Sequence, residues 1–157
     1  MKVALIVVGR TVNRHMAELI EDYASRVKHY VGFDITVIPE LKNTKSLSAE
    51  QQKQQEGEQI LRQFQHGDHI VLLDEHGKEM RSIEFSKYME KKMQTVGKRL
   101  VFIIGGPYGF SPDVYAKAND KLSLSQMTFS HQMIRLVFVE QLYRAMTIMR
   151  GEPYHHE

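Results

Sequence analysis

Leu100-Val101-Phe102-Ile103-Ile104-Gly105-Gly106-Pro107-Tyr108-Gly109-Phe110 opens with an unbroken apolar run and stops abruptly on two glycines and a proline. Apolar residues without alternation make a strand covered on both faces, as in a parallel sheet sandwiched between helices. The glycines at its end let a ligand come close to the backbone and tolerate positive φ. Ser111-Pro112 follows as N-cap and first-turn proline of a short helix carrying Val114 and Tyr115. A tight turn that merely leads into this helix needs the same residues, so spacing leaves both readings open. The pattern is neither Gly-x-x-x-x-Gly-Lys-Ser/Thr nor Gly-x-Gly-x-x-Gly after the first strand, which argues against a P-loop and a dinucleotide fingerprint.

The flanking sequence repeats the theme. Val3–Val8 is a second continuous apolar run, closed by Gly9. Met16, Leu19, Ile20, Tyr23 and Val27 then recur at helical spacing. Phe33–Ile38 predicts a strand stopped by Pro39, and residues 39–47 a polar loop. Ser48 and Gln51 form the sequence of a capping box. The Gln/Glu-rich helix they open has exposed early turns, a weak middle at Gly57 and its apolar contacts late, at Ile60, Leu61 and Phe64. His69–Leu73 predicts a strand ending at Asp74. Ser82 is placed to cap a helix bearing Tyr88, Met89, Met93 and Val96. Lys121–Ser125 alternates as a short fifth strand, and Gln126–Ser130 leads to a last helix with Met133, Ile134, Val137, Phe138, Leu142 and Met146. Strand and helix alternate about five times. The expectation is α/β: one domain over residues 1–157, a mainly parallel sheet with helices on both faces. Ligands in such folds sit in the loops after the strands, here those after Val8, Leu73, Ile104 and Ser125.

Composition narrows the chemistry. The 157 residues include no Cys, which excludes disulfides, thiol nucleophiles and Cys-ligated zinc and suits a reducing cytoplasm. No apolar run approaches the roughly 20 residues that span a membrane, and no signal-peptide pattern precedes Val3. The formal net charge is only +2. It is unevenly spread: residues 78–99 carry net +4 and residues 31–77 net −4. A basic strip of this kind steers a polyanion, or is simply a solvated face.

Two further stretches are candidates for function. Leu122-Ser123-Leu124-Ser125-Gln126-Met127-Thr128-Phe129 has hydroxyls and amides to hold a nucleoside, with Met127 and Phe129 to cover an apolar ring; it also serves as a plain strand-to-helix connection. Tyr154-His155-His156-Glu157 joins aromatic and imidazole groups near the end of the sequence. No His-Glu-x-x-His pattern offers a metal site, and His66 and His69 read as surface residues. No Gly-x-Ser-x-Gly elbow supports a serine hydrolase, although His131 and Asp113 are present.

These pieces together resemble the ribosomal large subunit methyltransferase H family, a small SPOUT-class group. The resemblance rests on Ile104-Gly105-Gly106-Pro107-x-Gly109, on Leu122-Ser123-Leu124-Ser125-x-Met127-Thr128-Phe129-x-His131-Gln132-Met133-x-Arg135, and on Glu140-Gln141-x-Tyr143-Arg144-Ala145 with a closing Tyr154-His155. Val8-Gly9 and Glu56-Gly57-Glu58 also fit. The resemblance implies a trefoil knot near the carboxyl terminus, S-adenosylmethionine as methyl donor, and a cytoplasmic homodimer that methylates N3 of a pseudouridine in the 23S rRNA of the assembled 70S ribosome, with no metal and no membrane. It implies cofactor contacts at Leu73, Gly105, Gly106, Leu124, Ser125, Gln126, Met127, Thr128 and Phe129. It implies catalytic roles for His155, Tyr154 and Arg135, and an RNA side formed by Arg135, Arg144, Tyr154, His155 and His156. Two positions depart from the family's habit: Ser130 stands where Pro is common, and His156 where Arg or Lys is common. Apart from the resemblance, a non-catalytic RNA-binding α/β module and a hydrolytic or small-molecule-binding α/β domain remain the rival readings.

Overall fold

The computed structural model describes all 157 residues. The elements are β1 (Lys2–Val8), α1 (Arg14–Val27), β2 (Gly32–Ile38), a 3-10 turn (Thr44–Ser46), α2 (Ala49–Arg62), β3 (Asp68–Glu79), α3 (Ser82–Thr95), β4 (Arg99–Ile104), α4 (Pro112–Lys117), β5 (Asp120–Ser123) and α5 (Met133–Met149). The strands form one five-stranded sheet in the order β2-β1-β4-β3-β5, and every pairing is parallel. β1 and β4, the two unbroken apolar runs, occupy its interior. Alternate residues of each run feed opposite layers, which is why neither run alternates.

On one face Val3, Leu5, Val7, Leu100, Phe102 and Ile104 meet α1, α3 and α5. On the other, Ala4, Ile6, Val8, Val101 and Ile103 meet Ile60 of α2 and Val114 of α4. α5 packs against both α1 and α3. Its Phe138 is fully buried, with its ring centroid 4.7 Å from that of Phe102; burial of such a side chain stabilises by roughly 2–3 kcal/mol. No helix is long and apolar enough to cross a membrane.

The caps form as the sequence predicts. Ser48 Oγ accepts from Gln51 N at 3.1 Å while Gln51 Oε1 accepts from Ser48 N at 2.9 Å. Ser111 Oγ accepts from Val114 N. Four expectations change. β3 runs on past Asp74, because the chain bulges after Leu73 and pairs again at Lys78, so that Leu122 faces both residues. β5 ends at Ser123, which leaves Leu124 and Ser125 in the loop. Ser82 is the first helical residue instead of the cap, and its hydroxyl donates to Gln141 of α5 at 2.8 Å. Gly57 is a packing contact, not a weak point: it is buried, and a side chain there would overlap Ser111 at the start of α4.

Candidate active site

The carboxyl ends of β3, β4 and β5 frame a cleft of about 380 Å³. Leu73, Asp74 and Glu75 form one wall; Ile104 to Pro107, Gly109 and Phe110 form the floor; Leu124, Ser125 and Met127 to His131 form the roof, with Ile134 of α5 at the back. Three separate loops thus converge at the sheet edge, where parallel α/β folds hold ligands. The glycine stretch makes a tight turn. Gly109 N donates to Gly106 O at 3.1 Å, and Gly109 has φ +82°, a conformation that favours glycine. The roof is shaped by its own hydroxyls: Ser123 Oγ donates to Ser125 O at 2.9 Å, and Ser125 Oγ accepts from Met127 N at 2.9 Å. Thr128 Oγ1 donates to Glu75 at 3.1 Å, which joins roof to wall. Ser130 Oγ accepts from Met133 N at 3.0 Å and so starts α5 as a cap residue would.

Neither Lys nor Arg lines the cleft; its charged side chains are Asp74 and Glu75. Asp74 accepts from Tyr115 Oη at 2.5 Å, and burial together with this bond pushes the Tyr115 hydroxyl up to about 12. A chamber of this size with apolar walls and polar groups at a few points suits a nucleoside carrying a short side chain. Of the sequence candidates for cofactor contact, Leu73, Gly105, Gly106, Leu124, Ser125, Met127, Thr128 and Phe129 line the chamber. Gln126, in the middle of the same loop, lies outside its lining.

Arg135, a sequence candidate for the RNA side, is turned into the protein. It is only 2% exposed. Its Nη1 donates to Gly9 O at 2.7 Å and to Thr11 Oγ1 at 3.2 Å, its Nη2 to Val8 O at 2.8 Å, and its Nε to His131 O at 3.0 Å. The guanidinium therefore ties the start of α5 to the end of β1. Gln132 adds a second tie, accepting from Val12 N and donating to Arg10 O. Four of the five guanidinium hydrogens are thus spent within this chain, three on backbone carbonyls and one on the Thr11 hydroxyl. Its burial against four acceptors was invisible in a sequence where the nearest partners lie up to 127 residues away.

The tail folds back on the other end of α5. Tyr154 Oη donates to Glu140 Oε1 at 2.9 Å and lies 3.4 Å from Tyr23 Oη. Burial, then those two neighbours, holds the Tyr154 hydroxyl well above its ordinary value, so it stays protonated. Arg144 pairs with the same Glu140 oxygen at 2.7 Å and lies over the Tyr154 ring. Arg144 Nη1 also meets His155 Nδ1 at 3.1 Å. A guanidinium only donates, so Nδ1 carries the lone pair and Nε2 the proton, aimed at Glu157 at 2.8 Å. Glu157 is paired in turn with Arg81, the residue just before α3. His156 is exposed beside this cluster. None of these residues lines the cleft. Glu140 and Arg144 lie roughly 9 and 15 Å along α5 from Ile134, so one copy of the chain does not bring its own tail to its own chamber.

The basic strip is partly committed. Lys92 pairs with Asp120 at 3.4 Å, and the same carboxylate accepts from Tyr88 at 2.7 Å and meets His69 at 2.9 Å. His69 is thus half-buried in a polar knot and not a surface residue. Lys87 and Lys91 remain exposed on α3. Sequence reasoning also missed the burial of Glu56, which is 5% exposed in the Gln/Glu-rich part of α2. Its carboxylate lies under Gly106, where an added methyl would approach its atoms to 2.5–2.9 Å.

The all-parallel α/β sheet thus carries at its carboxyl edge a glycine-floored chamber that no Lys or Arg lines, and residues 1–155 match the family described as “Predicted SPOUT methyltransferase”, which makes the chain a SPOUT-type methyltransferase. The chain is 68% identical over its full length to the full-length ribosomal RNA large subunit methyltransferase H of Bacteroides thetaiotaomicron. It is 60% identical to that of Parabacteroides distasonis, again with both chains fully covered. The protein belongs to this methyltransferase H family and is an S-adenosylmethionine-dependent methyltransferase. Among solved structures, a probable methylase family protein from Haemophilus influenzae overlays with a TM-score of 0.50 at 12% identity, covering 95% of this chain and 66% of that one. At that identity the overlay speaks for the fold alone.

Proposed function

We propose that this chain methylates N3 of a pseudouridine in the 23S rRNA of the assembled 70S ribosome, acting in the cytoplasm as a homodimer. The observation that carries this reading is the division of the site into two parts within each copy. The chamber has the size and the uncharged donors for an adenosine, while Tyr154, His155 and Arg144 cluster elsewhere on α5. A second copy completes the site by bringing its tail to the first copy's chamber. Val12 at 69% exposure, Leu19 and Met133 leave an apolar surface on the α1 and α5 side for that contact. Gln132 and Arg135 hold the chain after β5 against residues 8–12 at the end of β1, a placement that supports the trefoil knot.

S-adenosylmethionine fits the chamber: its walls are apolar, its floor is glycine backbone, and no cation of the protein faces a sulfonium. When bound, the cofactor supplies an electrophilic methyl group. Alignment is then the main task of the protein. The roof residues Met127 and Phe129, both exposed at the mouth, offer apolar surface against the acceptor base. The N3–H proton of the base leaves to His155 Nδ1, whose lone pair Arg144 covers in the free chain. Arg144 turns from that lone pair to the RNA, and Tyr154, kept protonated, donates to the base or its backbone. Methyl transfer from labelled cofactor to free 23S rRNA, isolated 50S subunits and 70S ribosomes lacking the modification tests the reading. Incorporation confined to the 70S particle is expected. Equal incorporation into free rRNA removes the assembled-ribosome substrate, and none into any of the three favours the RNA-binding module.

A further inference from the structure

Beside the glycine turn lies a second recess of about 220 Å³. It shares Pro107 and His131 with the main chamber, so the two are neighbours across one turn and one imidazole. Its lining divides by chemistry. Glu56 of α2 and Glu40 of the loop after β2 supply carboxylates, while Val8, Leu41 and Pro107 supply apolar surface and His131 a flat ring. No Lys or Arg lines it. Three cations stand next to it in the chain instead. Lys42 and Lys45 directly follow the lining residues Leu41 and Thr44, and Arg10 follows Gly9, against which Glu40 packs. All three are exposed, and none is in an ion pair.

Glu56 is the anomaly. It is buried, Gln52 donates to its Oε2 at 3.2 Å, and its Oε1 is the one buried side-chain polar atom of the chain without a hydrogen-bond partner. Such atoms are rare and costly in folded proteins, and each calls for an explanation. The carboxylates of the main chamber are already satisfied: Asp74 by Tyr115 and the His76 amide, Glu75 by Thr128. Glu56 Oε1 and the exposed Glu40 therefore stand ready for a donor that this chain does not provide. An amino acid is a poor match, because nothing in the lining answers its carboxylate. A nucleobase matches each part. It is neutral and flat, its faces suit Leu41, Pro107 and the His131 ring, and adenine, cytosine and guanine each carry an exocyclic amino group that donates to a carboxylate. The phosphates on either side of such a base stay outside the recess, where the free cations are.

We propose that this recess receives one unstacked, amino-bearing base of the RNA substrate, held by Glu56 Oε1 and Glu40, with the adjoining phosphates on Arg10, Lys42 and Lys45. The assignment rests on reading the main chamber as the cofactor site and RNA as the acceptor. Uracil and pseudouridine have no amino group, so the guest is a neighbour of the methylated nucleotide and not that nucleotide itself. The recess reads the base beside the acceptor while the chamber aligns the methyl group. This gives α2, which otherwise only supports the sheet, a part in choosing the substrate.

NMR titration with GMP, AMP, CMP and UMP tests the assignment, on protein saturated with S-adenosylhomocysteine so that the main chamber is filled. GMP, AMP and CMP are expected to bind about tenfold tighter than UMP. Glu56→Gln keeps the shape and is expected to bring the three amino-bearing nucleotides down to within about threefold of UMP, with UMP itself unmoved. Replacing Lys42 and Lys45 together by Ala is expected to weaken all four nucleotides by a similar factor and to keep the preference. UMP binding as tightly as the others, or an equal loss for all four in Glu56→Gln, overturns the proposal. Tighter binding of agmatine, a guanidinium, than of any nucleotide assigns the recess to a cationic protein side chain and overturns it as well. Failure of S-adenosylhomocysteine to bind overturns the reading of the main chamber and this assignment with it, whereas loss of the base preference alone leaves that reading standing.

Discussion

The chamber and the tail cluster, the two halves of the proposed catalytic apparatus, are built from different materials. The chamber is shaped by backbone: a glycine turn, a hydroxyl-braced loop and apolar walls, with no basic side chain facing in. The tail cluster is made almost wholly of side chains, with Glu140, Arg144, Tyr154, His155, Glu157 and Arg81 linked in one chain of charge-assisted contacts. A cationic cofactor needs alignment without a competing cation, and backbone amides and apolar walls give that. Proton transfer and RNA contact need groups that ionise and move, and only side chains give those. The chamber is accordingly sensitive to shape, and the tail to charge.

Substitutions that strike one half should leave the other intact. The largest effect belongs to Arg135, whose loss strands the Val8 and Gly9 carbonyls in a buried site. Arg135→Ala is expected to cost about 3 kcal/mol of stability and to loosen the roof, read as a lowered denaturation midpoint together with weaker cofactor binding. A variant of unchanged stability but impaired RNA binding would return Arg135 to the RNA side. His155→Ala comes next. Turnover on ribosomes should fall roughly 100-fold, the usual contribution of a proton acceptor, with cofactor affinity by calorimetry unaltered. Turnover near that of the unaltered protein would leave the tail with a positioning role only. Lys87→Glu is the mildest. On an exposed strip it should weaken ribosome binding severalfold and flatten its salt dependence, with no change in the cofactor equilibrium. Unchanged binding would make the strip an ordinary solvated face. Lys92 is the wrong probe, because its charge already answers Asp120.

Much of the layout is legible in sequence because it is local. Val3–Val8 and Leu100–Ile104 announce a doubly covered sheet by lacking alternation, and Ser48 and Ser111 announce helix starts through partners three residues away. The Gly105-Gly106-Pro107 turn is recognisable for the same reason. What the sequence hides depends on distant partners. Arg135 lies on a helix that looks amphipathic, and only the carbonyls of the first strand make it internal. Glu56 sits among glutamines and glutamates that face solvent, and only the approach of Gly106 from another layer buries it. His69 reads as a turn residue until Asp120, some 50 residues on, comes beside it. The distance between tail and chamber is likewise a property of α5 as a rigid rod, which no motif records.

The docking of the tail has a spectroscopic consequence. The sequence has no Trp, so tyrosines dominate its near-ultraviolet signal. Four of them meet where the tail lands: the Tyr143 ring lies 4.8 Å from Tyr154, 5.9 Å from Tyr23 and 6.2 Å from Tyr30. Fixed rings at such separations couple optically, and they lose that coupling when one is withdrawn. Lifting Tyr154 off Tyr143 would therefore change the near-ultraviolet circular dichroism and leave the far-ultraviolet helix and sheet signal as it was. The molecule carries its own optical gauge of whether the tail is folded onto α5 or extended toward another surface, with no added label.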